Sequence, residues 1–131
     1  MGSVELSARG DGPVVVTLRG ELDVAHAASV SAALAAIASS GCTLILDLEG
    51  LEFIDSSGLA AFVRARRHAR QAGFDVLLAA PRPQVLRMLA VTRMSDVFPV
   101  HLCVEDAAGT TGRIQVAIAS TARSHVLRAA S

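Results

Sequence analysis

Apolar positions along this chain recur at two different spacings, and the alternation between the two sets the architecture. Val14-Val15-Val16-Thr17-Leu18-Arg19 is rich in β-branched residues and predicts a strand. Val4 to Arg9 predicts a second, weaker strand. Gly10-Asp11-Gly12-Pro13 between them is a turn sequence, so the two are expected to form a hairpin. Beyond Asp23 the spacing changes. Ala27, Val30, Leu34 and Ile37 recur at helical intervals, with Asp23 as the cap and Gly41 as the stop. Cys42 to Leu48 is apolar except for Thr43 and Asp47, as in a strand buried on both faces. Ser56 to Ala72 is helical again. Leu59, Phe62, Val63, Ala65, Ala69 and Ala72 form one side, and Arg64, Arg67, His68, Arg70 and Gln71 the other. Gly73 ends it, and Phe74 to Ala80 predicts another strand. Pro81 and Pro83 bracket a helix start, with Val85, Leu86, Leu89 and Ala90 as its buried face. Val97 to Leu102 predicts a short strand weakened by Pro99. A last helical start at Glu105 stops in Gly109-Thr-Thr-Gly112.

Strands separated by helices need crossover connections and so pair largely in parallel, while the opening hairpin adds an antiparallel pair. The expected class is α/β: a mixed, mostly parallel sheet packed with about four helices. The 131 residues suffice for one domain with a sizeable core. Residues 1–108 are read as that domain. Residues 109–131 are read as an extension, helical or partly ordered, because Arg113 to Ala130 has helical propensity but no clean apolar stripe.

Composition narrows the function classes. Hydrophobic residues make up 52% of the chain but aromatics only 3%, which leaves no platform for stacking bases. Twelve basic and twelve acidic side chains cancel, so no global field draws in nucleic acid or an anionic membrane. All twelve basic residues are arginines. Up to Asp55 eight acids face two arginines, and beyond it ten arginines face four acids, giving six excess charges of opposite sign in each part. This reads as ordinary surface charge before it reads as an acidic end and a basic helix face. Cys42 and Cys103 have neither metal-site nor disulfide spacing and are expected to be buried free thiols in a reducing compartment. No segment reads as a leader or a membrane span, so the expected location is cytoplasmic.

The most informative stretch is Asp47-Leu-Glu-Gly-Leu-Glu-Phe-Ile-Asp55-Ser56-Ser57-Gly58-Leu59. An apolar run ends in an acid, two hydroxyls and a glycine, and a helix begins. Ser56 is thereby displayed at a helix mouth, where backbone N–H groups and the helix dipole favour an anion. On spacing alone, Asp55 and Ser56 read first as a helix cap, as does Asp23. Catalytic chemistries find little support. Ser56 lacks the Gly-x-Ser-x-Gly elbow of hydrolases. His26, His68, His101 and His125 form no metal pair, and no Gly-rich phosphate loop with lysine occurs. No enzyme activity, cofactor or metal is expected.

Gly20-Glu-Leu-Asp23 and the Asp47–Leu59 stretch, in this order, resemble the bacterial anti-sigma factor antagonists, which belong to the STAS domains (sulfate transporters and anti-sigma factor antagonists). Leu89-Ala-Val-Thr-Arg-Met-Ser-Asp-Val-Phe-Pro-Val100 resembles the family's later helix-to-strand junction, and the similarity runs from about residue 4 to 108. The resemblance implies partner switching. The unmodified protein binds an anti-sigma factor that is also a serine kinase, and so frees a sigma factor. The kinase phosphorylates Ser56, the complex dissociates, and a serine phosphatase restores Ser56. The expected docking surface comprises Asp23, Asp55, Ser56, Ser57 and Gly58, joined by Ala60 and Arg64; no nucleic acid or membrane partner is expected, and the choice between monomer and weak dimer stays open. The alternative is a sensory or scaffold domain of the same fold that binds a small ligand or assembly partner without phosphorylation. Three departures stand out: Arg93 where the family usually has glycine, next to Met94 in place of leucine; a last helix cut short at Gly109; and a tail beyond Gly112 with no counterpart in the family.

Overall fold

The computed structural model describes residues 4–9 and 13–109. The turn expected at Gly10–Gly12 and the extension from residue 110 onward lie outside the described residues. Within them the order is β1 (Val4–Arg9), β2 (Val14–Leu22), α1 (Val24–Ser39), β3 (Leu44–Ile54), α2 (Ser56–Gln71), β4 (Val76–Ala79), α3 (Pro83–Val91), a 3-10 turn (Met94–Asp96), β5 (Val100–His101) and α4 (Val104–Gly109). The five strands lie in sequence order, β1 antiparallel to β2 and every other neighbouring pair parallel. The mixed, mostly parallel sheet and the four helices agree with the sequence-based expectation. Gly41 and Gly73 follow α1 and α2 at φ values of 90° and 89°, the left-handed geometry that ends a helix at little cost only for glycine.

Side-chain alternation splits the core in two. Val14, Val16, Leu18, Leu44, Leu46, Leu48, Val76 and Leu78 face one side of the sheet and pack with residues of α1, α2 and α3, among them Leu34, Phe62, Val85 and Leu89. Val15, Ile45, Leu77 and Ala79 face the other side, where Ala107 and Ala108 of α4 meet them. Apolar demand on both faces explains why these strands read as unbroken hydrophobic runs. Phe62 and Phe98 meet edge-to-face with ring centroids 6.5 Å apart, which ties α2 to the segment before β5.

Both long strands outrun the sequence-based reading. β3 continues six residues past Leu48 because two irregularities let it gain a residue on β2 each time. Thr17 pairs with Asp47 but Arg19 with Gly50, and Gly20 pairs with Leu51 but Glu21 with Phe53. Bulges of this kind shift the pleat. Leu48, Leu51 and Ile54 are therefore all buried at intervals of three, a spacing that matches no regular strand.

Other expectations fail at the margins. Leu86 and Ala90 are exposed, and only Val85 and Leu89 of α3 are fully buried, because this short helix covers the sheet along one narrow line. Ala72 is exposed at the C-cap of α2. Cys42 is buried as expected, but Cys103 is only half-buried, lying just before α4 at the rim of the second face.

The departure at Arg93 has a visible consequence. Its φ is 66°, left-handed, as it caps the 3-10 turn. A β-carbon in that region costs about 1–2 kcal/mol, and the only ion pair of Arg93 among the described residues is a long, exposed contact to Asp96 at 3.9 Å, worth little. Arg93→Gly is expected to stabilise the fold by about 0.5–1 kcal/mol, since relief of strain exceeds the greater freedom glycine has in the unfolded chain. Denaturant unfolding of the two proteins measures it.

Candidate functional site

β2 and β3 run in parallel as neighbours, and their final pair is Leu22 with Ile54. Asp23 and Asp55, each the next residue, therefore leave the sheet side by side at the same end. The Asp55 N–H donates to the Leu22 carbonyl at 3.2 Å, holding the two exits together. Each aspartate then caps a helix. Asp23 Oδ1 accepts from the Ala25 N–H at 3.1 Å, and the same oxygen lies 3.1 Å from His26 Nδ1. Asp55 Oδ1 accepts three hydrogen bonds: from the Ser57 N–H at 3.0 Å, the Gly58 N–H at 3.1 Å and the Ser57 hydroxyl at 2.6 Å.

These bonds decide the charge state of Asp55. Burial alone raises its pKa. The Ser57 hydroxyl and the backbone N–H groups of Gly58, Ser57 and Val24 outweigh burial and hold the carboxyl below the usual range. Asp55 is thus a fixed negative charge at neutral pH. A depressed folded pKa adds stability above the unfolded pKa of about 3.9, and that stability disappears as pH falls through the folded value. Asp55→Ala is expected to cost about 1 kcal/mol at pH 7. The gap between variant and parent should narrow as the pH is lowered below 4, which urea unfolding across pH measures.

The hydroxyls divide their roles. Ser57 is half-buried and spends its hydroxyl on Asp55. Ser56 is the first residue of α2 and is exposed. The sequence suggested that free N–H groups of the first turn would receive an anion there. Two of them, on Ser57 and Gly58, are already taken by Asp55, whose carboxylate is the neighbour of Ser56. Ala60, one turn on, is exposed, and Arg64 reaches across to the Ser31 hydroxyl on α1 at 3.2 Å. Gly58 lies in the first turn of α2. It is buried, and a β-carbon there would sit 2.7 Å from Ile54 Cγ1, 2.8 Å from Leu22 Cγ and 2.9 Å from the Leu22 carbonyl oxygen. Its smallness lets α2 settle on the paired ends of β2 and β3.

Two apolar residues beside the site escaped the sequence reading. Val24, which opens α1 after Asp23, is 76% exposed, and Phe53, just before Ile54, is 46% exposed. Val24 falls before the first buried position of its helix and Phe53 within the bulged part of β3, so neither has a regular period to mark it as outward-facing.

On the opposite face of the sheet, Asp47, Glu49, Cys103 and Glu105 line a cavity of about 210 Å³. Burial pushes the Asp47 carboxyl up, and the nearby charges of Glu49 and Glu105 push the same way. Among the described residues, no three or more His, Cys, Asp or Glu side chains are placed to hold a metal ion together. None of the helices among them is long and apolar enough to cross a membrane.

Comparison with known proteins adds sequence and structural likeness. The STAS domain family model matches residues 6–107. The chain is 28% identical over 99 residues to the anti-sigma-B factor antagonist of Listeria monocytogenes, covering 75% of this chain and 87% of the relative. It is 29% identical over 104 residues to the anti-sigma-F factor antagonist RsfA of Mycobacterium tuberculosis, covering 77% and 81%. Among solved structures, the anti-sigma factor antagonist SpoIIAA in its unphosphorylated form superposes with a TM-score of 0.70 at 24% identity, covering 82% of this chain and 94% of that one. The Bacillus SpoIIAA in its phosphorylated form gives 0.63 at 23% identity, covering 82% and 97%. These two structures share the fold. The relatives named here are regulatory rather than catalytic proteins.

Proposed function

We propose that this chain, which belongs to the STAS domain family, is an anti-sigma factor antagonist that works by partner switching at Ser56. The observation that carries the reading is an exposed hydroxyl at the first position of α2, beside an aspartate whose charge is fixed by three hydrogen bonds to one oxygen. The unmodified surface around Asp23, Asp55, Ser56 and Ala60 binds an anti-sigma factor that is also a serine kinase, and a sigma factor is freed. Val24 and Phe53 supply exposed apolar area next to these polar groups, the mixture typical of protein interfaces. Ser57 and Gly58 act from beneath by shaping the loop.

Phosphate on Ser56 adds about 1.5–2 negative charges. With the Ser57 and Gly58 N–H groups already bonded, that charge stands beside ionised Asp55 and with Asp23 on the neighbouring exit. A docked partner has to desolvate it among like charges, so binding fails with no change of fold. A serine phosphatase resets the surface. The switch operates in the cytoplasm, on residues 1–108 as the domain, with 109–131 as an extension. The solved relative SpoIIAA exists in phosphorylated and unphosphorylated forms, which supports a phosphorylation switch on this fold. Incubation with a kinase-bearing anti-sigma factor and ATP, followed by mass spectrometry, is expected to place phosphate on Ser56. Phosphate on Ser57 or elsewhere, with Ser56 bare, contradicts the proposal.

A further inference from the structure

The C-terminal half of α2 carries an open groove of about 410 Å³ lined by Val63, Arg66, Arg67, Arg70 and Gln71. Three guanidiniums share it, and the acid paired with them is Asp75, which is divided between two. Asp75 Oδ2 accepts from Arg70 Nη1 at 3.4 Å. Asp75 Oδ1 lies 3.5 Å from Arg66 Nε and already accepts the Val76 N–H at 2.8 Å. At 3.5 Å the Arg66 contact is too long for a good hydrogen bond, and Arg66 Nε is buried with no hydrogen-bond partner. Arg67 is exposed and forms no ion pair among the described residues. Among the described residues, three positive charges stand against one paired acid, which leaves two uncompensated.

The groove continues the switch surface. Ser56, Ala60, Val63 and Arg67 follow one another at steps of four, three and four residues, which places them along one face of the helix. Arg67 lies about 16 Å along the axis from Ser56 at 1.5 Å per residue. A partner lying along α2 over Ser56 meets the arginines about three to four turns later. An open groove along a helix does not enclose a small molecule, whereas small-ligand sites bury most of their ligand. It suits a chain segment laid across it. Carboxylates match the guanidinium geometry of the exposed arginines.

We infer that this arginine groove docks an acidic segment of the anti-sigma factor, with side-chain carboxylates seated between Arg66, Arg67 and Arg70 over Val63. The inference rests on the partner-switching reading for the identity of the partner, but the groove is testable by itself. A synthetic glutamate-rich peptide, titrated into the isotope-labelled chain at physiological salt, is expected to shift the amide signals of residues 63–71 saturably. A peptide with glutamine at each glutamate should leave them unmoved. Arg67→Glu, on an exposed position without an ion pair, should weaken the glutamate peptide about tenfold, the order expected for reversing one charge contact. Ser56→Asp should bind this peptide as the parent does, so failure of the groove and failure of the switch are separate results. Shifts scattered over all arginines, or none, overturn the inference. Displacement of the peptide from the same signals by equimolar pyrophosphate also overturns it, by assigning the groove to a small anion.

Discussion

Ser56→Asp is expected to lose binding to a kinase-bearing anti-sigma factor about 10- to 100-fold, and phosphorylated Ser56 a few hundred-fold, while the fold stays intact. The ordering follows from charge. Aspartate brings one negative charge on a short side chain, and phosphate brings about 1.5–2 on a longer one. A few hundred-fold corresponds to about 3–4 kcal/mol, within the range for a charge that must be desolvated without a partner at an interface. Two first-turn donors that would relieve either group are already engaged. The Ser57 and Gly58 N–H groups are held by Asp55 Oδ1 at 3.0 and 3.1 Å, and Asp55 remains ionised beside the added charge. Ser56→Ala should bind as the unmodified parent does and resist the kinase. Titration calorimetry with the three proteins, alongside far-UV circular dichroism, measures both effects. If Ser56→Asp and Ser56→Ala both bind as the parent does, the domain is a scaffold or sensor rather than a switch.

Gly58→Ala is expected to destabilise the fold by about 2 kcal/mol, against the usual direction for glycine within a helix. Alanine in place of glycine favours a helix by about 1 kcal/mol. Here the added methyl group would lie 2.7 Å from Ile54 Cγ1, 2.8 Å from Leu22 Cγ and 2.9 Å from the Leu22 carbonyl oxygen. The two side chains have some freedom to turn. The carbonyl has none, because it accepts the Asp55 N–H at 3.2 Å and belongs to the pair that joins β2 to β3. Overpacking against such a neighbour costs about 3 kcal/mol. To relieve it, α2 has to lift from the strand ends, carrying Ser56 with it. Gly58→Ala should therefore also weaken partner binding, and a stabilising second-site change elsewhere should restore the melting temperature without restoring affinity. Thermal unfolding combined with calorimetry separates the two effects. A variant as stable as the parent would mean that the contact at Leu22 yields freely.

Much of this was legible before any coordinates. The strand runs, the helix caps at Asp23 and Asp55 and the glycine stops after α1 and α2 are local signals, written in single residues and short periods. The Asp-Ser-Ser-Gly cluster was visible for the same reason: the residues that cap a helix and display a hydroxyl are adjacent in the chain. The role of Gly58 was less legible. Its neighbour Leu22 lies far off in sequence, and only the parallel pairing of β2 with β3 brings Leu22 beneath α2. Phe53, Leu51 and the true end of β3 were obscured by bulges, which convert a period of two into a spacing that no regular element has.

The chain by itself determined which segments become strands and helices, because propensity, capping and hydrophobic period act over a few residues. It also determined that Ser56 stands at a helix mouth. Tertiary structure alone decided that Asp23 and Asp55 leave the sheet as neighbours, that Gly58 packs against Leu22 and Ile54, and that the groove along the end of α2 is left open. Those facts depend on strand register and on which side of each helix the core claims, and both are settled when distant apolar surfaces are buried against each other.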